Sequence, residues 1–163
     1  MPNAVADTSL LVAFSAIDRL DVLRGVFMEI VIPPAVVREL EAGDWKEAAT
    51  VLREIRVGTW MRVESARTAV FAVTPPANLG AGELEVLNLA SSSGLTALID
   101  DSDARRFATR IGVSVVGSLG VVARAKSLGL IHAVRPLVEG MLDHGIRFHP
   151  DLVSRFLAKE EEL

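Results

Sequence analysis

The chain has 163 residues, 50% hydrophobic and 23% charged, with a net charge of −4 and no cysteine. That balance is globular and the length suits about one domain, which excludes disorder and collagen-like repeats. The missing cysteine excludes thiolate zinc sites, iron–sulfur clusters, cysteine nucleophiles and a disulfide scaffold, and an acidic chain meets nucleic acid only through a local patch. No apolar run approaches the roughly 20 residues that span a bilayer. Asp7 interrupts the apolar N-terminus where a signal peptide would continue. A cytoplasmic protein away from membranes is expected, as a single domain over 1–163 with 134–163 as a C-terminal helical extension.

Ala4-Val5-Ala6 reads as a short strand that stops at Asp7-Thr8-Ser9, three good N-cap residues. Apolar residues at helical spacing then predict one helix from Leu10 to Leu23. Ile30-Val31-Ile32 reads as a buried strand, with helices over 35–42 and 44–55 after Pro33-Pro34. Trp60–Val63 and Ala69–Val73 are candidate strands, and Gly80-Ala81-Gly82 opens a helix over 83–90. Ala97-Leu98-Ile99 runs as a strand into Asp100-Asp101. Ala104, Phe107, Ala108 and Ile111 mark the next helix at i, i+3, i+4 and i+7. Val113–Val116 is a further strand, ending at Gly117-Ser118, and helices over 121–128, 134–142 and 151–159 close the chain. Short unbroken apolar strands alternating with amphipathic helices predict a three-layer α/β/α domain around a central parallel sheet.

Ligands of open parallel sheets bind beyond the carboxyl ends of the strands. Three predicted strands end there in Asp7, in Asp100-Asp101 and in Ser118, and Glu39 and Glu83 lie on helices entering at or beside that edge. Singly these acids read as helix caps, dipole partners or solvated side chains, and Asp103 as a first-turn surface acid. Gathered together they read differently. Two charges about 5 Å apart at an effective dielectric near 20 repel by roughly 3 kcal/mol, so such a cluster must hold protons, pair with bases or bind a cation. Oxygen ligands without His or Cys select Mg²⁺ or Mn²⁺. Arg105, Arg106 and Arg110 follow on one helix as a candidate phosphate-binding stripe, or as a solvated face paired with Asp103. The histidines His132, His144 and His149 lack metal-ligand spacing. Gly80-Ala81-Gly82 lacks the third glycine of a dinucleotide fingerprint.

Four blocks in order carry a family resemblance: Val5-Ala6-Asp7-Thr8-Ser9, Val37-Arg38-Glu39-Leu40, Leu79-Gly80-Ala81-Gly82-Glu83 and Leu98-Ile99-Asp100-Asp101. Together they resemble the PIN domain over roughly Val5 to Leu130. The resemblance implies a PIN-like fold and a metal-dependent ribonuclease, with Asp7, Glu39, Glu83 and Asp101 as catalytic metal-binding acids. Asp100 competes with Asp101 for the last place. Ser9 and Ser118 fall where the family often places hydroxyls near the site, and Asp103 stands beside them. Mg²⁺ or Mn²⁺ is the implied cofactor, and RNA or another single-stranded nucleic acid the implied substrate. Many relatives are toxins of toxin–antitoxin pairs, which makes an antitoxin protein an implied partner. The chain departs from the commonest toxin pattern at Glu83, where Asp is frequent, and at the doubled aspartate. A non-catalytic PIN-fold binding module is the alternative. Leu152, Val153, Phe156 and Leu157 form an apolar stripe on the last helix, from which a homodimer is expected.

Overall fold

The computed structural model describes residues 2–67 and 71–162. The chain opens with β1 (Asn3–Ala6), α1 (Thr8–Ala16) and α2 (Leu20–Val26), then β2 (Glu29–Ile32), α3 (Pro34–Ala42) and α4 (Lys46–Val57). After β3 (Met61–Val63) and a long connection come α5 (Ala81–Ser93), β4 (Thr96–Leu98), α6 (Ser102–Arg110), β5 (Val115–Val116) and α7 (Ser118–Ser127). α8 (Arg135–Asp143) and α9 (Pro150–Lys159) complete it.

The strands form one five-stranded parallel sheet in the order β3-β2-β1-β4-β5, and helices cover both faces. The three-layer α/β/α architecture read from the sequence is the one observed. Both faces are covered, so β1 is fully buried at Ala4, Val5 and Ala6, and β2 at Ile30 and Ile32. The strand order proceeds outward from β1 on one side and from β4 on the other. Right-handed crossovers in opposite directions place their helices on opposite faces. The crevice between the carboxyl ends of β1 and β4 is therefore the topological switch point, where open α/β sheets bind ligands. The register aligns those ends: Ala6 pairs with Leu98, Leu98 with Val116, and the Asp7 N–H donates to the Leu98 carbonyl at 3.1 Å.

Two expectations need correction. The single helix over Leu10–Leu23 is broken into α1 and α2, because Asp18 turns left-handed at φ 57°. The Asp18 N–H reaches the Ser15 carbonyl at 3.0 Å and the Arg19 N–H the Phe14 carbonyl at 2.9 Å, closing α1 in a Schellman motif. Aspartate tolerates this conformation better than most residues, so the glycine that usually signals such a stop is missing. In the stretch 69–73, Ala69 and Val70 lie outside the described residues and Phe71–Val73 form no strand. Phe71 instead packs edge-on against Phe107, ring centres 5.2 Å apart.

The C-terminus is tied to the body of the domain. The Glu162 carboxylate accepts from Lys126 Nζ at 2.7 Å, from the Arg135 N–H at 2.8 Å and from the Val134 N–H at 2.9 Å. These donors, Lys126 first, hold its pKa down to about 2. On α9, Leu157 is buried and Val153 and Phe156 pack against the core, while Leu152 stays 42% exposed. No helix among the described residues is long and apolar enough to cross a membrane.

Candidate active site

Helix N-termini organise the carboxyl edge of the sheet. Asp7, directly after β1, caps α1 by accepting the Leu10 N–H at 2.9 Å. Asp101 caps α6 through the Ala104 N–H at 2.8 Å. Its neighbour Asp100 turns toward the end of β5, where it accepts the Ser118 N–H at 2.7 Å and the Ser118 hydroxyl at 2.5 Å. Glu39, on α3, accepts the Thr8 hydroxyl and, at 2.9 Å, the Gly82 N–H in the first turn of α5. Glu83 folds back onto the Gly80 N–H at 2.9 Å. One first-turn N–H of each of α1, α5, α6 and α7 thus meets a carboxylate, and the helix dipoles offset part of its charge.

Capping does not exhaust these side chains. Asp7 uses only Oδ1, and its Oδ2 has no hydrogen bond among the described residues. No buried polar side-chain atom there lacks a partner, so this oxygen reaches the accessible surface although Asp7 is only 4% exposed. Asp101 Oδ2 likewise has no protein partner among the described residues, whereas both oxygens of Glu39 and both of Asp100 are engaged.

The acids act on one another. Burial pushes the Asp7 carboxyl up to about 8; the Leu10 N–H opposes this, and the charges of Asp100, Glu83 and Glu39 reinforce it. Glu83 is also raised, first by burial and then by Asp101, Glu39 and Asp103, against the Gly80 N–H. Asp103 stands at the rim, bonded to Asn78 at 2.5 Å and paired with Arg106.

A cleft of about 640 Å³ lies over this edge, with Ser9, Glu83, Asp100 and Asp101 on one wall. The opposite wall is the loop from Gly145 to His149 between α8 and α9. Arg105 is half-buried and faces a second cavity beside Asp100. Arg106 is exposed, and Arg110 is exposed in the last turn of α6, about 13 Å along the helix from Asp101. Ser118 is fully buried and holds Asp100, while Ser9 lines the open cleft.

Three features of the site are not legible in the sequence. A Cβ on Gly82 would stand 2.6 Å from Glu39 Oε2, so this glycine admits the carboxylate to the start of α5. A Cβ on Gly117 would meet Arg105 Nη1 at 2.6 Å and Asp100 Oδ1 at 2.8 Å. The wall at 145–149 comes from the far end of the chain, with Arg147 and His149 flanking Phe148 as its only sequence signal.

The donors at the edge are all carboxylate and hydroxyl oxygens, a set suited to a hard divalent cation. Among the described residues, no group of three Asp, Glu, His or Cys side chains stands in an arrangement that could hold a metal ion.

A parallel α/β/α domain with carboxylates from α3, α5 and two strand ends at its switch point defines the class. The chain belongs to the PIN-domain family: the family model DUF3368, described as a PIN domain, matches residues 3–162. PIN domains are generally nuclease-like and usually use divalent metals. Among solved structures, the chain is similar to a PilT N-terminus domain protein from the archaeon Sulfolobus solfataricus. That match has 18% identity and a TM-score of 0.47, and covers 90% of this chain and 99% of that one. It is also similar to a domain of a functionally unknown protein from Methanocaldococcus jannaschii, at 22% identity and a TM-score of 0.49, covering 72% of this chain and 91% of that one. No curated protein matches the chain.

Proposed function

We propose that this protein is a divalent-metal-dependent nuclease that hydrolyses phosphodiester bonds in RNA. The observation that carries the reading is that Glu83, Asp100 and Asp101 line one switch-point cleft while Asp7, nearly buried at the end of β1, feels the charges of Asp100, Glu83 and Glu39; among the described residues Asp7 and Asp101 each keep an oxygen free of protein partners. Asp7, Glu39, Glu83 and Asp101 would hold Mg²⁺ or Mn²⁺. Such an ion supplies charge neutralisation at the phosphoryl oxygens and activation of water. Asp100 positions the end of β5 through Ser118 and adds negative charge beside Asp7. Arg105 is the half-buried cation beside Asp100 and the candidate partner for a substrate phosphate. A role as the toxin of a toxin–antitoxin pair, with an antitoxin and a second copy as partners, belongs to the same proposal.

The test is cleavage of a fluorescently labelled single-stranded RNA with Mn²⁺ or Mg²⁺ and with excess chelator. Activity that needs the metal and is lost in Asp7→Asn, Glu83→Gln or Asp101→Asn supports the reading; wild-type activity in chelator refutes it. A second reading, a non-catalytic binding module, is favoured by one observation. Every acid already has a hydrogen-bond partner, and no three of them form a metal-holding group among the described residues. That reading predicts RNA or protein binding with no turnover under any metal.

A further inference from the structure

The second cavity, about 340 Å³, opens beside the acid cleft and shares Asp100, Phe148 and Leu152 with it. Its floor is the short edge strand β5 and the start of α7, with Val116 and Gly120 at their contact. Phe148 and Phe156 line it, and both are half-buried. Arg105 is its one basic lining residue. Among the described residues the Arg105 guanidinium has no hydrogen-bond or ion-pair acceptor, and no buried polar atom lacks a partner, so its N–H groups open onto accessible space. Asp100 lies nearby, both its oxygens bonded to Ser118, but forms no ion pair with Arg105 among the described residues.

A mostly apolar slot lined by two phenylalanines, with one planar donor that has no acceptor among the described residues, fits a flat group that carries hydrogen-bond acceptors on its edge. An unpaired nucleobase is such a group: aromatic side chains stack on its face, and a guanidinium matches acceptor pairs on its edge. The cavity lies next to the acid edge, and Phe148 belongs to both. A strand whose phosphate approaches the carboxylates therefore has the neighbouring base within reach of the slot. We infer that the cavity between β5, α7 and α9 holds one unpaired base of a single-stranded nucleic acid, stacked on Phe148 and edged by Arg105. The inference rests on the nuclease reading for the direction of the strand, but the slot can be tested without turnover.

The experiment measures fluorescence anisotropy of wild type in chelator with a labelled oligoadenylate and with the same backbone made abasic. Wild type is expected to bind the intact oligomer about tenfold more tightly, the scale of one base–aromatic stack. Phe148→Ala is expected to bind it no better than wild type binds the abasic strand, and Phe148→Trp to keep the preference, which separates lost stacking from lost folding. Equal wild-type affinity for both oligomers overturns the inference, as does a preference that survives Phe148→Ala. A slot that serves an apolar side chain of a protein partner gives that negative result. Cleavage is scored separately with Mn²⁺. Cleavage without base preference refutes the slot and leaves the nuclease reading standing, and base preference without cleavage does the reverse.

Discussion

Replacing Asp7 by asparagine should stabilise the metal-free protein at neutral and alkaline pH. Asp7 is 4% exposed, and burial first, then its carboxylate neighbours, lift its pKa from 3.8 to about 8. Between those two values the folded state keeps a proton on Asp7 and the unfolded chain does not. Stability contributed by the neutral form is therefore complete below about pH 4, falls as pH rises through that window, and levels off above about 8. At about 1.4 kcal/mol per pH unit the full loss has an upper limit of about 6 kcal/mol. Relaxation and water entry around a buried charge reduce it, and an unsatisfied asparagine N–H group costs about 1 kcal/mol more, leaving about 2–4 kcal/mol. For a domain of this size that is a rise of roughly 5–15 °C in melting temperature near pH 8, vanishing near pH 4. Thermal melts of both proteins with chelator across pH 4 to 9 measure it. An Asp7→Asn protein that melts at or below wild type at pH 8, or a difference independent of pH, refutes the reasoning.

Glu83→Gln should stabilise the apo protein in the same direction and by less, since Glu83 is raised by the same causes but is only half-buried; apo melts at pH 4 and pH 8 decide it. Gly82→Ala should displace the Glu39 carboxylate and weaken Mn²⁺ binding at least tenfold, with overpacking costing about 1–3 kcal/mol of stability; titration calorimetry and a urea melt read the two effects. Glu162→Gln should loosen the C-terminal tether and speed proteolysis after α9. Because the Glu162 pKa is lowered, its contribution is present above the ordinary glutamate range and is lost in wild type as pH falls toward about 2. The homodimer proposed from the apolar stripe of α9 is checked by light scattering of the wild-type protein, and a monomer at high concentration refutes it.

The sheet was legible because parallel strands buried on both faces leave continuous apolar runs, and β1, β2 and β4 are such runs. Asp7 and Asp101 were legible as caps for a local reason: each accepts an N–H three residues on. The capping role is the one the hydrogen bonds show, and it leaves room for the proposed site, because Asp101 caps α6 with one oxygen while lining the cleft and Asp7 caps α1 with Oδ1 alone. Asp100–Ser118 and Glu39–Gly82 were not legible, since 18 and 43 residues separate the partners and only the sheet order brings them together. The cleft wall at 145–149 was hidden for the same reason, and the break at Asp18 because its stop signal is not glycine.

Whether these carboxylates bind a divalent ion is decided by calorimetric titration of the wild-type protein and of Asp7→Asn with Mn²⁺ or Mg²⁺, each followed by a thermal melt. A metal site at the switch point gives saturable binding to wild type and, at about 100 times the dissociation constant, a gain of roughly 2.7 kcal/mol that Asp7→Asn largely lacks. Absence of binding heat, with melts of both proteins indifferent to the metal, would contradict it and leave these acids as caps alone.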